Sequence, residues 1–226
     1  MYATKSTSTD YEPCPAGMHH AVCYRVVDLG TQNVEWQGQS KTQRKVLVSW
    51  ELPNELKDPY EYDGVEHPAR PYTMHKKYTL SFHEKASLLK DLNSWRGRPF
   101  TDSELSGPPN GFYMRDIIGA NCFLNVIHNV SDSNGKTYAN VASVSPLAKG
   151  MGKLEPTNPT VFLDLTNPEL DHDAIVAGLS DGIQETIKLS PEWASLHPDP
   201  QSVGRTDASR QPGPEAVYEL DDEIPF

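Results

Sequence analysis

Residues 44–52, RKVLVSWEL, set Val46, Val48, Trp50 and Leu52 on one face of an extended chain, and this pattern limits the fold more than any other feature. Four further segments read the same way: 19–29 (HHAVCYRVVDL), 72–80 (YTMHKKYTL), 120–128 (ANCFLNVIH) and 137–145 (TYANVASVS). All are rich in β-branched and aromatic residues. Tyr72, Met74, Lys76, Tyr78 and Leu80 share a phase in the third strand in chain order. Asn134-Gly135 joins the last two segments and predicts a hairpin. The polar stretch 30–43, with Gly38, predicts a turn or extended loop. Pro53, Pro59, Pro68 and Pro71 exclude a regular element over 53–71.

A helix is expected at about 82–96. Ser81 and Glu84 have the spacing of a capping box, in which each side chain satisfies an orphan backbone N–H. Leu88, Leu89, Leu92 and Trp95 follow at helical spacing, and Gly97 with Pro99 supplies the stop. Three strands, a helix and a two-stranded hairpin are the layout of the five-stranded OB-fold, a partly open barrel that binds oligonucleotides and oligosaccharides on one face. The expected fold is therefore β-rich, with the helix between strands three and four.

Four regions are expected. Residues 1–18 form an N-terminal arm and 19–154 the OB-fold domain. An α/β extension packed on the barrel covers 155–196, with a short strand near 160–165 and a helix carrying Leu179, Ile183 and Ile187. Residues 197–226 form a disordered acidic tail, because 197–214 hold only Val203 and Ala208 as aliphatic residues. A mean hydropathy of −0.58 agrees with a partly solvated chain. No apolar run reaches the 18 or so residues of a membrane span, and the polar start lacks a signal-peptide core. Three cysteines at irregular spacing do not make a secreted disulfide scaffold. The expected location is the cytoplasm.

The net charge of −11 hides an asymmetry. Residues 1–154 carry 17 Lys and Arg against 16 Asp and Glu, whereas 155–226 carry 3 against 15. Six acids fall within 51–66, and the cations gather around Lys41, Arg44 and Lys45, around Lys76 and Lys77, and at 85–98. A mildly basic working surface beside an acidic tail follows. Binding single-stranded DNA without sequence preference needs aromatic platforms and backbone cations. The candidates are Trp36, Tyr72, Phe123 and Tyr138 for stacking, with Lys41, Arg44, Lys45, Lys76 and Lys77 for phosphates. Trp50, Tyr78 and Trp95 are assigned to the core.

The chain ends in DDEIPF. Asp221, Asp222 and Glu223 would steer towards a basic rim, Ile224 and Phe226 would fill a pocket, and Pro225 limits the freedom lost on docking. This motif resembles the acidic tip of bacterial single-stranded DNA-binding proteins (SSB). CYRVVDLGTQ and FHEKASLLKDLNSWRGRPF are similar to segments of the single-stranded DNA-binding proteins of tailed bacteriophages. The resemblance implies a strand-binding OB-fold in the host cytoplasm, serving replication, recombination and repair. Its tip would recruit replication or repair proteins, host-encoded ones among them, and the protein would be a monomer or small homo-oligomer. The 51–66 and 155–196 segments depart from ordinary bacterial SSB.

No enzyme activity and no cofactor are expected. Cys14, His19, His20, Cys23 and His128 match no paired-cysteine zinc spacing. Asp164, Glu169, Asp171 and Asp173 could mimic a magnesium-dependent nuclease site, which makes a nuclease one alternative. An acidic inhibitor that mimics DNA is the other.

Overall fold

The computed structural model describes residues 12–198 apart from 37, 63–64 and 108–110. β1 (Gly17–Trp36) and β2 (Gln39–Lys57) form a long antiparallel hairpin. A small separate hairpin of β3 (Tyr60–Tyr62) and β4 (Val65–His67) follows, then β5 (Arg70–Thr79), which pairs with the free edge of β2. β6 (Asn121–Val130) pairs with the start of β1, and β7 (Thr137–Pro146) pairs with β6. The antiparallel path is β5-β2-β1-β6-β7. β8 (Val161–Leu163) runs parallel to Arg25–Val27 of β1, beyond the point where β6 leaves it.

The expected barrel does not close. Among the described residues no ladder joins β5 to β7, and the sheet remains open. α1 (Ser87–Arg96) bridges the two edge strands instead. Tyr78 Oη and Lys76 Nζ on β5 each donate to Asp91 Oδ2 at 2.8 Å, while Ser94 Oγ donates to the Val144 carbonyl of β7 at 2.6 Å. Leu88, Leu89, Leu92 and Trp95 are buried, as their spacing predicts, and Gly97 ends the helix in the left-handed region at φ 69°.

The helix start differs from expectation. Ala86 is its N-cap residue, and Ser81 Oγ accepts only from the exposed His83 N–H. Phe82 packs against Phe100 and Phe112, which anchors 81–86 as a turn outside the helix. The capping box lies further on, where Thr101 and Glu104 close the start of α2 (Asp102–Leu105).

Two other expectations are corrected. Stretch 30–43 is no loop: β1 and β2 stay paired from Thr31↔Arg44 to Trp36↔Gln39, forming a projecting arm. Its polar residues lack an alternating pattern because the arm leaves the core and buries neither face. The 53–71 stretch is not irregular throughout. β2 runs on to Lys57, with Pro53 in the bulge between Leu52 and Leu56, where the ladder asks for no donor.

The sheet has a core on each side. One face of the curved sheet, with α1 and a 3-10 turn (Met114–Ile117), encloses Val26, Val48, Trp50, Tyr72, Leu92 and Leu124 among others. On the opposite face Val27, Leu29 and Leu47 are covered by Leu163, Leu165, Val176 and Ile187. Leu163 comes from β8, Leu165 from the turn after it, Val176 from α3 (His172–Ala177) and Ile187 from α4 (Asp181–Lys188), which α5 (Pro191–Leu196) follows. Among the described residues no helix is long and apolar enough to cross a membrane.

Candidate nucleic-acid interface

Strand period decides where the expected cations point. Paired residues in an antiparallel ladder share a face, and neighbours along a strand take opposite faces. Arg44, Val46 and Val48 therefore lie on the face that packs against α1, with Lys76 and Tyr78 paired across from Val48 and Val46. Lys45 and Lys77 take the opposite, outward face, as does Lys41 four residues before Lys45. Each doublet of adjacent cations is divided between the two faces.

The inward members are neutralised by carboxylates. Arg44 is ion-paired with the buried Asp28 and lies 3.7 Å from Asp164. The hydrogen bond that Arg44 donates to the Asp28 carboxylate raises the Arg44 pKa. Asp28 also accepts from the Gly30 N–H at 2.9 Å and from the Leu165 N–H at 3.2 Å, so Arg44 belongs to a joint between the sheet and the C-terminal segment. Lys76 is paired with Asp91. Outward, Lys41 and Lys77 are exposed, and Lys45 donates to Thr79 Oγ1 at 2.9 Å and to Gln43.

The expected aromatics also separate. Tyr72 is buried at 4% exposure beneath Lys57, whose Nζ lies 5.0 Å from the ring centre, so no base can stack on it. Phe123 is half-buried on β6 beside His20, with ring centres 5.9 Å apart. Tyr138 is exposed on β7, near the tip of the β6–β7 hairpin, and accepts from Asn134 Nδ2 at 2.9 Å. The Trp36 backbone closes the β1–β2 arm opposite Gln39, and its side chain is outside the described residues. Asp221 to Phe226 are also outside them. Trp50, Tyr78 and Trp95 are core, as expected.

The Cys/His group that matches no zinc spacing and the acids of the nuclease alternative have local partners. His19 contacts Glu55 and the Pro15 carbonyl, His20 contacts Asn121, and His128 contacts the Cys14 carbonyl. Burial pushes the Cys14 thiol up to about 11 and Cys23 to about 12. Among the described residues no group of three His, Cys, Asp or Glu side chains is placed to hold a metal. Asp164 accepts from Thr166, Asp171 caps α3 through the Ala174 N–H, and Asp173 faces His197.

Tyr24, Arg25 and Arg115 escape a reading of the sequence. Arg25 extends the outward face: it pairs with Ser49, which pairs with His75. Its Nε donates to Ser49 Oγ at 3.2 Å. The signal is the broken alternation at Cys23-Tyr24-Arg25, where the register of β1 shifts. No family model matches the chain, and neither the curated proteins nor the solved structures compared with it contain a match.

Proposed function

We propose that this protein binds single-stranded DNA without sequence preference, as an SSB-like protein of the kind tailed bacteriophages encode. In this reading the open sheet is of OB type, which its strand order and the helix between the third and fourth long strands support. Phosphates follow Lys41, Lys45 and Lys77 along the part of the outward face of β2 and β5 that the C-terminal segment leaves uncovered. Bases stack on Trp36 at the arm and, on the β6–β7 side, on Phe123 and Tyr138. The segment Asp221 to Phe226 recruits replication or repair proteins.

One observation carries the reading. Lys45 and Lys77 share the outward face of β2 and β5 and Lys41 continues it onto the arm, while their inward neighbours Arg44 and Lys76 are tied to Asp28 and Asp91. The test is a fluorescence titration of the full chain with oligo-dT at two salt concentrations. The expected result is quenching and an affinity that falls with salt, with a slope near −0.7 per neutralised phosphate. Lys41→Glu with Lys77→Glu should weaken binding by about tenfold or more and flatten the slope. Unchanged affinity in the folded double variant would reject the assignment of the face, and absence of binding would reject the function.

A further inference from the structure

A second place on the molecule combines positive charge with aromatic surface. A half-open cleft of about 840 Å³ lies between the free edge of β8, the 3-10 turn and α3. Arg25 and Arg115 line it together with Tyr24, Ile118, Phe162 and Ile175. Its lining contains no carboxylate. Arg44, Arg96 and Arg98 are all ion-paired, whereas among the described residues neither Arg25 nor Arg115 has a carboxylate within ion-pairing distance. Each of these two guanidiniums lies over a ring, Arg25 Cζ 5.3 Å from the centre of Tyr24 and Arg115 Cζ 5.7 Å from that of Phe162.

This lining calls for a ligand of mixed chemistry. A bare anion would leave the Ile118, Phe162 and Ile175 wall unused, and an apolar ligand would leave two guanidiniums uncompensated. A planar ring joined to a phosphate satisfies both, and the volume falls in the range of small-molecule sites, about 300–1,000 Å³. Asn158 supplies a polar edge. Its amide nitrogen donates to the buried Glu51, whose carboxylate also accepts from the Thr157 and Asn158 N–H groups at 2.7 and 2.8 Å. The Asn158 side-chain carbonyl is thereby held as an acceptor for a base N–H.

We infer that this cleft binds a nucleotide, with its phosphate on Arg25 and Arg115 and its base against Phe162 and Ile175. The inference stands apart from strand binding on the outward sheet face, because either property can exist without the other. Its test is calorimetric titration of the full chain with thymidine 5′-monophosphate and, separately, with thymidine. The monophosphate should bind, thymidine should bind at least about tenfold more weakly, and Arg115→Gln should weaken the monophosphate by a similar factor. Displacement of the monophosphate by unphosphorylated oligo-dT would assign the cleft to a nucleotide within a strand. Retention would assign it to a free nucleotide, and either supports the site. No binding at about 5 mM, or equal affinity for thymidine, would overturn the inference without needing any variant to fold. If oligo-dT bound while the monophosphate did not, the cleft would be refuted and the strand-binding reading would stand. The reverse result would refute strand binding alone.

Discussion

Gly30 has φ 69° and sits at the second bulge of β1, where a methyl group would come within 2.4 Å of Ser190 Cβ and 2.9 Å of Glu192 Oε2. The space is closed because the start of α5 is clamped there: Glu192 accepts from the Thr31 N–H at 2.8 Å and from Thr31 Oγ1 at 2.6 Å. Gly30→Ala faces both the left-handed backbone and the steric conflict. It should destabilise the protein by more than about 1 kcal/mol in urea unfolding. If the variant unfolded at the same urea concentration as the parent, the contact between α5 and the base of the arm would be wrong. Ser190 itself is buried, and its Oγ accepts from the Trp193 N–H to start α5. One glycine thus joins the geometry of β1 to the docking of the last described helix.

The joint between β5 and α1 depends on Asp91. Tyr78 is 2% exposed and its hydroxyl donates to that carboxylate; burial first, and then the Asp91 charge, raises the phenol pKa well above its ordinary value. Asp91→Ala strands a buried hydroxyl and should cost about 1–3 kcal/mol. Adding Tyr78→Phe should recover part of that loss, because both partners are then apolar. Strictly additive losses would show that the bond contributes nothing.

The turn around α2 responds to pH. Glu104 accepts from Arg96, Arg98 and the Thr101 N–H, and the two guanidiniums hold its carboxyl below the usual carboxylate range. A depressed folded pKa means that the stabilisation is present above the unfolded value, about 4.3, and is lost as pH falls through the folded one. The melting-temperature gap between the parent and Glu104→Gln should therefore be widest near neutrality and narrow in acid. A gap independent of pH would contradict the pairing.

These elements also mark what could be read in advance. The five long strands, the helix with its Leu88, Leu89, Leu92 and Trp95 face, and the short strand at 161–163 follow from local periodicity. The helix start was misplaced because Ser81-Glu84 and Thr101-Glu104 have the same spacing, and only the packing of Phe82 distinguishes them. The projecting arm was hidden because a strand with two solvated faces has no alternation to detect. The candidate site was legible as residue types and not as a surface. Lys76-Lys77 and Arg44-Lys45 read as basic clusters, yet a strand turns successive residues to opposite sides, and the inward partners Asp28 and Asp91 lie 16 and 15 residues away from the cations that they neutralise.

Over the whole molecule, one sheet carries a buried core on each of its two sides. The 161–196 segment covers Val27, Leu29 and Leu47, so the face available to a strand is what that segment leaves uncovered on β2 and β5. Charge follows the same division, with the acidic excess beyond residue 155 and the outward cations before it. Lysine modification of the full chain, read by mass spectrometry with and without oligo-dT, tests the proposed path most directly. Lys41, Lys45 and Lys77 should be protected together, while Lys90 on the outer side of α1 and the exposed Lys149 and Lys153 should react unchanged. Protection of Lys90, Lys149 and Lys153 with continued reactivity at Lys41 and Lys77 would contradict the account.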